Sequence, residues 1–153
     1  MDMKVWGKRA VTAGAMAMAV MGVVSGTANA AGSLPCGSGY SCDGYDPNTV
    51  SWDSGPDTDS SQSVTGTATV HLRSGKKNGQ WYAWAKGTTQ AKAGIWIDRS
   101  TDGGRTWDGM RGYIHLEGGE GNYTAMSYWP DGTHIRACIN VEGVALKCTG
   151  WVS

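Results

Sequence analysis

The stretch VTGTATVHLR, residues 64–73, alternates apolar and polar side chains. Val64, Ala68, Val70 and Leu72 fall on one face of this pattern, and threonines, a histidine and an arginine fall on the other. Because successive side chains of a strand point to opposite faces, a period of two over ten residues predicts a half-buried β-strand.

Six further short segments have strand character and are separated by turn residues such as Pro130-Asp131-Gly132 and Glu142-Gly143. Such strands at intervals of about 8–12 residues are typical of antiparallel sandwiches and barrels. No segment shows a sustained helical period. We therefore predict an all-β fold, a small antiparallel sandwich or barrel over residues 64–153. The segments are WYAWAK, GIWIDR, RGYIHLE, NYTAMSYW, THIRACINV and VALKCTGWV.

Residues 31–63 have a different composition, rich in Gly, Ser, Asp and Pro, with no Lys or Arg. A segment with so few apolar residues cannot bury enough surface to order itself. The composition predicts a flexible N-terminal arm, either a loosely attached terminus or a segment that folds against a partner.

Residues 1–30 have the layout of a secretory signal peptide: basic residues, an uncharged apolar run, and the small-x-small motif Ala28-Asn29-Ala30. The apolar run falls short of the ~20 residues that a membrane-spanning helix needs. Removing these residues takes away three basic residues and one acidic residue, which leaves 123 residues with ten basic and twelve acidic side chains, a net charge of −2. The sequence thus predicts a secreted, extracellular domain with no nucleic-acid or membrane partner.

The four cysteines, Cys36, Cys42, Cys138 and Cys148, form an even set in a small exported domain. This pattern favours two disulfides, since neither pair has the spacing of a zinc knuckle and the compartment oxidises thiols. No metal site and no cofactor are predicted.

Residues 100–107, STDGGRTW, fit the pattern S-x-D-x-G-x-T-W and resemble the Asp-box, a hairpin turn of secreted proteins. In such a turn the Asp102 carboxylate accepts backbone N–H groups, Gly104 takes a positive φ, and Trp107 packs beneath. Ser100 completes the motif. One copy predicts a structural turn rather than a sialidase, and the spacing does not fit a calcium loop of the EF type.

Surplus aromatic residues suggest binding anchors, because Phe is absent while residues 31–153 hold seven Trp and six Tyr. Trp and Tyr dominate the energetics of many interfaces. The candidate partner-binding residues are Tyr40, Tyr45, Trp52, Trp81 and Trp84.

Three histidines, His71, His115 and His134, fall on polar faces of predicted strands. If they converged with Glu117 and an arginine (Arg73 or Arg136), they would resemble the acid, base and phosphate-binding groups of a small ribonuclease. Solvated outer faces are the alternative. No nucleophile elbow, H-E-x-x-H motif or Walker loop is present, so no catalytic residue is assigned.

The segment CDGYDPN offers Asp43, Asp46 and Asn48 as oxygen ligands for calcium. A turn capped by its own side chains is the simpler interpretation of the same residues.

The segments CDGYDPNT, VHLRSGKKNGQWYAWAKG and NYTAMSYWPDGTHIRACINVEGVALKCTGW occur in this order, and with them the chain resembles the YjfA-like family of small exported proteins of Gram-positive bacteria. Members usually carry two further cysteines, which are both missing here. The resemblance therefore implies the bonds Cys36–Cys42 and Cys138–Cys148. With a two-residue Glu142-Gly143 turn, Cys138 would face Lys147, so the second bond requires one extra residue or a bulge.

Some proteins of this kind look like the small adaptor subunit of secreted umbrella-shaped toxin particles, which joins a lectin-bearing subunit to a repeat-built scaffold. The resemblance thus implies a secreted, non-catalytic β module that binds other proteins, such as larger subunits of an antibacterial particle. A small secreted hydrolase and a carbohydrate-binding module remain the alternatives.

Overall fold

A computed structural model describes residues 32–153, so the predicted signal peptide lies outside the described residues. Two short 3-10 helices, Gly39–Cys42 and Pro47–Thr49, precede nine strands. Within the described residues no helix is long and apolar enough to cross a bilayer. The strands are β1 (Ser54–Val64), β2 (Ala68–Lys77), β3 (Gln80–Thr89), β4 (Ala93–Ser100), β5 (Asp108–Leu116), β6 (Gly121–Tyr123), β7 (Ser127–Trp129), β8 (His134–Val141) and β9 (Ala145–Cys148).

The strands form two antiparallel sheets, which confirms the predicted all-β fold. The first sheet has the order β1-β2-β3-β6, with β7 also paired to β3, and the second has the order β5-β4-β8-β9. Strands β2 and β3 of the first sheet pack on β4 and β8 of the second, so the molecule is a two-layer sandwich.

The core lies between the two inner faces. Val70 of β2 pairs with Gly87 of β3, and Leu72 of β2 pairs with Ala85 of β3. All four residues are buried. A Cβ on Gly87 would come within 2.8 Å of the Ile95 side chain, so the missing side chain at this position allows the sheets to approach. The alternation read from the sequence therefore marks the inner faces correctly.

One predicted strand is a hairpin. Residues 64–73 do not form one strand, because β1 ends at Val64 and β2 begins at Ala68, with Gly66 at a φ of 69° between them. Val64 and Ala68 are direct partners on the inner face, which explains why the alternation looked continuous. Similarly, the predicted strand over residues 122–129 is divided into β6 and β7.

The segment predicted as a flexible arm is packed on the sandwich in the structure. Its last part is β1, an edge strand that pairs along β2. Its first part covers the outer face of the first sheet, where Trp52 stacks on Trp84 with ring centroids 5.3 Å apart and where Leu34 and Cys42 are buried. Backbone bonds fix it further, with Gly44 N donating to Met126 O over 2.9 Å. The arm has few apolar residues of its own, and these pack on aromatic residues supplied by β3.

Both predicted disulfides are present, Cys36–Cys42 and Cys138–Cys148. In the β8–β9 hairpin Val141 pairs with Ala145, so the turn has three residues and Cys138 lies directly opposite Cys148. The extra residue that the bond requires is therefore Val144. The two bonds indicate an oxidising environment.

Candidate functional site

The Asp-box joins β4 to β5 as a hairpin turn. Asp102 accepts the backbone N–H of Thr106 over 2.9 Å and its hydroxyl over 2.7 Å, while the Ser100 hydroxyl accepts the backbone N–H of Gly104 over 2.8 Å. These bonds from Thr106, and then one from Ser100, lower the pKa of the Asp102 carboxyl to about 2. The turn is thus held by its own side chains and stays charged at any ordinary pH.

Trp107 differs from the prediction that it packs beneath the turn, since 49% of the residue is exposed. Its ring instead covers the guanidinium of Arg136, 4.7 Å away, and Trp151 covers the same group at 4.4 Å. Gly104 leaves the space that the Trp151 ring fills. The Asp-box therefore helps to position an arginine against two indole rings.

Beneath this stack lies a buried carboxylate. Asp98, 2% exposed, accepts two bonds from Arg136, from Nε over 2.9 Å and from Nη2 over 2.8 Å. Its other oxygen accepts the Trp96 indole N–H over 2.9 Å. A buried charge with these partners is satisfied, so Asp98 fixes the orientation of Arg136.

Next to the stack, β5 has a bulge. Ile97 pairs with Arg111, and Arg99 pairs with Asp108. The single β4 residue between Ile97 and Arg99 therefore lies opposite two β5 residues, Gly109 and Met110. Met110 has a φ of 56°, a conformation that costs a side chain other than Gly or Asn about 1–3 kcal/mol. Its side chain is 56% exposed. The strained backbone thus presents an apolar side chain to solvent.

The same sheet face continues at Tyr113, which is 46% exposed and lies over Gly94. Leu146 follows across the sheet, on β9 opposite Asn140. We call this outer face of the second sheet the aromatic face. It consists of Trp107, Met110, Tyr113, Arg136, Leu146 and Trp151.

Charged side chains border the aromatic face beside Tyr113. His115 lies 3.3 Å from Glu117 and 4.0 Å from Glu142. Lys92 lies 3.6 Å from Glu117. An apolar centre with a polar border is the usual layout of a protein interface.

Tyr40, one of the predicted partner-binding residues, lies close to the aromatic face. It is exposed, and together with Arg99 and Trp107 it lines a depression of about 310 Å³. The Arg99 guanidinium lies 4.9 Å from its ring.

The other four predicted partner-binding residues are dispersed. Tyr45 is exposed, and Trp81 is half-buried beside Trp129. Trp84 is only 4% exposed, so its ring packs in the fold and cannot serve as the predicted anchor. Trp52, which stacks on it, is half-buried.

The calcium hypothesis for CDGYDPN is not supported by the geometry. Asp43 accepts a bond from Tyr128 N over 2.6 Å and pairs with Arg99 and Arg111. Asp46 accepts the backbone N–H of Asn48 over 2.9 Å, as a cap of the second 3-10 helix. Two arginines already neutralise Asp43, which leaves the capped turn as the correct interpretation.

The three histidines do not converge. His71 lies in the first sheet. Burial, and then the positive charges of Arg73 and Lys86, lower the pKa of its imidazole. His115 and His134 lie in the second sheet, opposite Gly94 and Ser100. Six residues along β4 separate these positions by roughly 20 Å. The ribonuclease-like arrangement considered as an alternative is therefore not formed.

Within residues 32–153, Asp98 and the sulfurs of Cys138 and Cys148 lie close enough together to suggest a metal site. Both sulfurs belong to the disulfide and provide no thiolate. The group is part of the structural layer under the aromatic face.

Sequence reasoning identified Trp107 only as part of a turn and missed Met110, Tyr113 and Trp151. Nothing in the sequence shows that the indole rings of Trp107 and Trp151, 44 positions apart, lie against the same arginine. Comparisons with protein-family models, with curated proteins and with solved structures find no match to this chain.

Proposed function

We propose that this protein is a secreted, non-catalytic module that binds another protein through the aromatic face. The observation that carries the proposal is that Trp107, Met110 and Tyr113 are all exposed along β5 and the turn before it, with Trp107 against the Arg136 guanidinium. Trp, Tyr, Met and Arg are the residue types enriched in protein interfaces. An exposed apolar patch of this kind is unusual in a soluble protein without a partner.

The face is also preorganised for binding. Asp98 binds the Arg136 guanidinium and the Trp107 and Trp151 rings pack against it, while the bulge fixes the backbone at Met110. Side chains that are already fixed lose little conformational entropy when a partner docks. Tight binding therefore requires less interface area than a mobile surface would.

The adaptor role, the antibacterial particle and membership of the YjfA-like family are parts of this proposal that depend on the sequence resemblance. The signal-peptide pattern and the two disulfides support secretion. The packed segment 32–53 changes the predicted mode of binding, because a folded face now replaces the free arm.

Affinity capture from culture supernatant with tagged protein tests the proposal. Trp107→Ala and Met110→Gly should each reduce the captured partner about tenfold or more, as expected for interface anchors. Met110→Gly is informative because it removes the side chain and relieves the positive φ, so it weakens binding without destabilising the fold.

Tyr45→Ala is the matched control, since Tyr45 is exposed but lies outside the aromatic face. It should capture as much partner as the wild type. Equal capture by all four proteins, or recovery of the bait alone, would contradict the proposed function.

A further inference from the structure

A second concave site lies outside the aromatic face, where the turn between β7 and β8 meets β1 and β3. It is a cleft of about 380 Å³, within the range of small-molecule sites, about 300–1,000 Å³. Two indole rings, Trp81 and Trp129, and two carboxylates, Asp59 and Asp131, are among its lining residues.

The two rings are fixed in place. Trp81 and Trp129 are direct cross-strand partners on β3 and β7. The Trp129 indole donates to the Thr133 carbonyl over 2.9 Å, which ties its ring to the β7–β8 turn. Both residues are half-buried, so part of each ring remains accessible. The cleft therefore has rigid apolar walls before any ligand enters.

Its polar groups come from other elements. Asp59 is on β1. Burial raises the pKa of its carboxyl, a hydrogen bond from Ser74 lowers it, and the charge of Asp57 raises it further. Asp131 is exposed in the turn. Ser153 at the end of the chain adds a hydroxyl to the lining. Lys76 lies outside the lining, with its ammonium 5.5 Å from the Trp81 ring. The cleft thus combines carboxylate acceptors, a hydroxyl and flat apolar surfaces.

We propose that this cleft binds a neutral saccharide. A pyranose ring has an apolar C–H face, which stacks on an indole, and a rim of hydroxyl groups that both donate and accept. The Asp59 and Asp131 carboxylates accept from such hydroxyls, and the Ser153 hydroxyl can donate to them. A cationic ligand fits less well, because Lys76 already lies at the Trp81 ring and would repel it.

The saccharide site shares no residue with the aromatic face, so the two proposals succeed or fail separately. If both proposals are correct, this domain connects a protein to a glycan.

A glycan array followed by calorimetric titration with cellohexaose, chitohexaose and mannohexaose tests the site. At least one saccharide should bind the wild-type protein, and Trp81→Ala should weaken that binding about tenfold or more, equivalent to about 1.4 kcal/mol. Asp131→Ala changes an exposed turn residue and should also weaken binding. Trp107→Ala, which alters the aromatic face, should leave saccharide affinity unchanged.

Circular dichroism confirms that each variant is folded, and Trp81→Phe replaces Trp81→Ala if the latter is not. Tetramethylammonium chloride is the cationic probe, titrated with and without 0.5 M NaCl, roughly the range in which charge attraction is screened. Absence of saccharide binding would overturn the proposal. So would saccharide binding that is insensitive to the Trp81 and Asp131 substitutions, or salt-sensitive binding of the cation alone.

Discussion

At the scale of single residues, the stability of the aromatic face depends on charges whose partners are distant in sequence. Asp98 and Arg136 are 38 positions apart, yet their side chains meet on neighbouring strands, where Asp98 pairs with Arg136 in the β4–β8 register. Sequence alternation placed Arg136 on a polar face, but it could not show that two indole rings cover it. The pair is largely shielded from solvent, with side-chain exposures of 3% for Asp98 and 20% for Arg136.

Arg136→Met should destabilise the protein by about 3 kcal/mol, because it leaves the buried Asp98 carboxylate without its counter-charge. Urea denaturation measures the free energy of unfolding. Arg105→Met, an exposed change in the Asp-box loop, is the control and should stay within about 0.5 kcal/mol of the wild type. A similar small effect for both substitutions would contradict the role assigned to Asp98.

Asp102→Ala should lower the melting temperature at pH 6 because the Asp-box loses its acceptor. The folded pKa of about 2 lies below the usual 3.8, so the charged carboxylate stabilises the fold above pH 3.8 and this contribution is lost as the pH falls toward 2. The difference in melting temperature between wild type and variant should therefore shrink from pH 4 to pH 2. A difference that stays constant over this range would show that the carboxylate charge is unimportant.

At the scale of elements, the β8–β9 hairpin shows what a sequence can determine. A bond between the two cysteines required one extra residue in the turn, and in the structure Val144 is that residue. By contrast, β1 was missed because it buries only Val64 and carries Ser, Thr and Asp elsewhere. Backbone hydrogen bonds and polar cross-strand pairs, such as Ser61 with His71, hold an edge strand of this kind. Its sequence therefore shows no alternation of apolar and polar residues.

Deletion of Val144 should shift β9 by one residue and turn Cys148 to the opposite face from Cys138. The disulfide would then fail to form, and thiol titration of the unfolded protein should find two free cysteines. Val144→Ser keeps the loop length and should show none. Loss of the bond should cost roughly 2–4 kcal/mol. A disulfide that still forms after the deletion would mean that the turn does not set the register.

At the scale of the whole molecule, the segment 32–53 links the two sheets through Asp43. Asp43 accepts the Tyr128 N–H at the edge of the first sheet and binds Arg99 and Arg111 of the second. The abundance of Asp in this segment predicted solvation, since its cationic partners lie more than fifty residues away. The composition of a segment cannot reveal that it packs on aromatic rings supplied by another part of the chain.

Asp43→Ala should destabilise the protein by about 2 kcal/mol, because the Tyr128 N–H loses its acceptor and Arg99 and Arg111 keep only the half-exposed Asp108 carboxylate. Limited proteolysis should cut residues 32–53 faster in this variant. Asp57→Ala, on the exposed edge strand, is the control and should behave like the wild type. Unchanged proteolysis of Asp43→Ala would restore the hypothesis of an independent arm.

The claim that the aromatic face is the docking surface is tested most directly by hydroxyl-radical footprinting of the protein, free and bound to its captured partner. Trp107 and Met110 are exposed and readily oxidised, so each reports on its own surroundings. We predict that partner binding reduces the oxidation of Trp107, Met110 and Tyr113 and leaves Tyr45 unchanged. Equal oxidation of the first three in both states, with protection found elsewhere, would contradict the account.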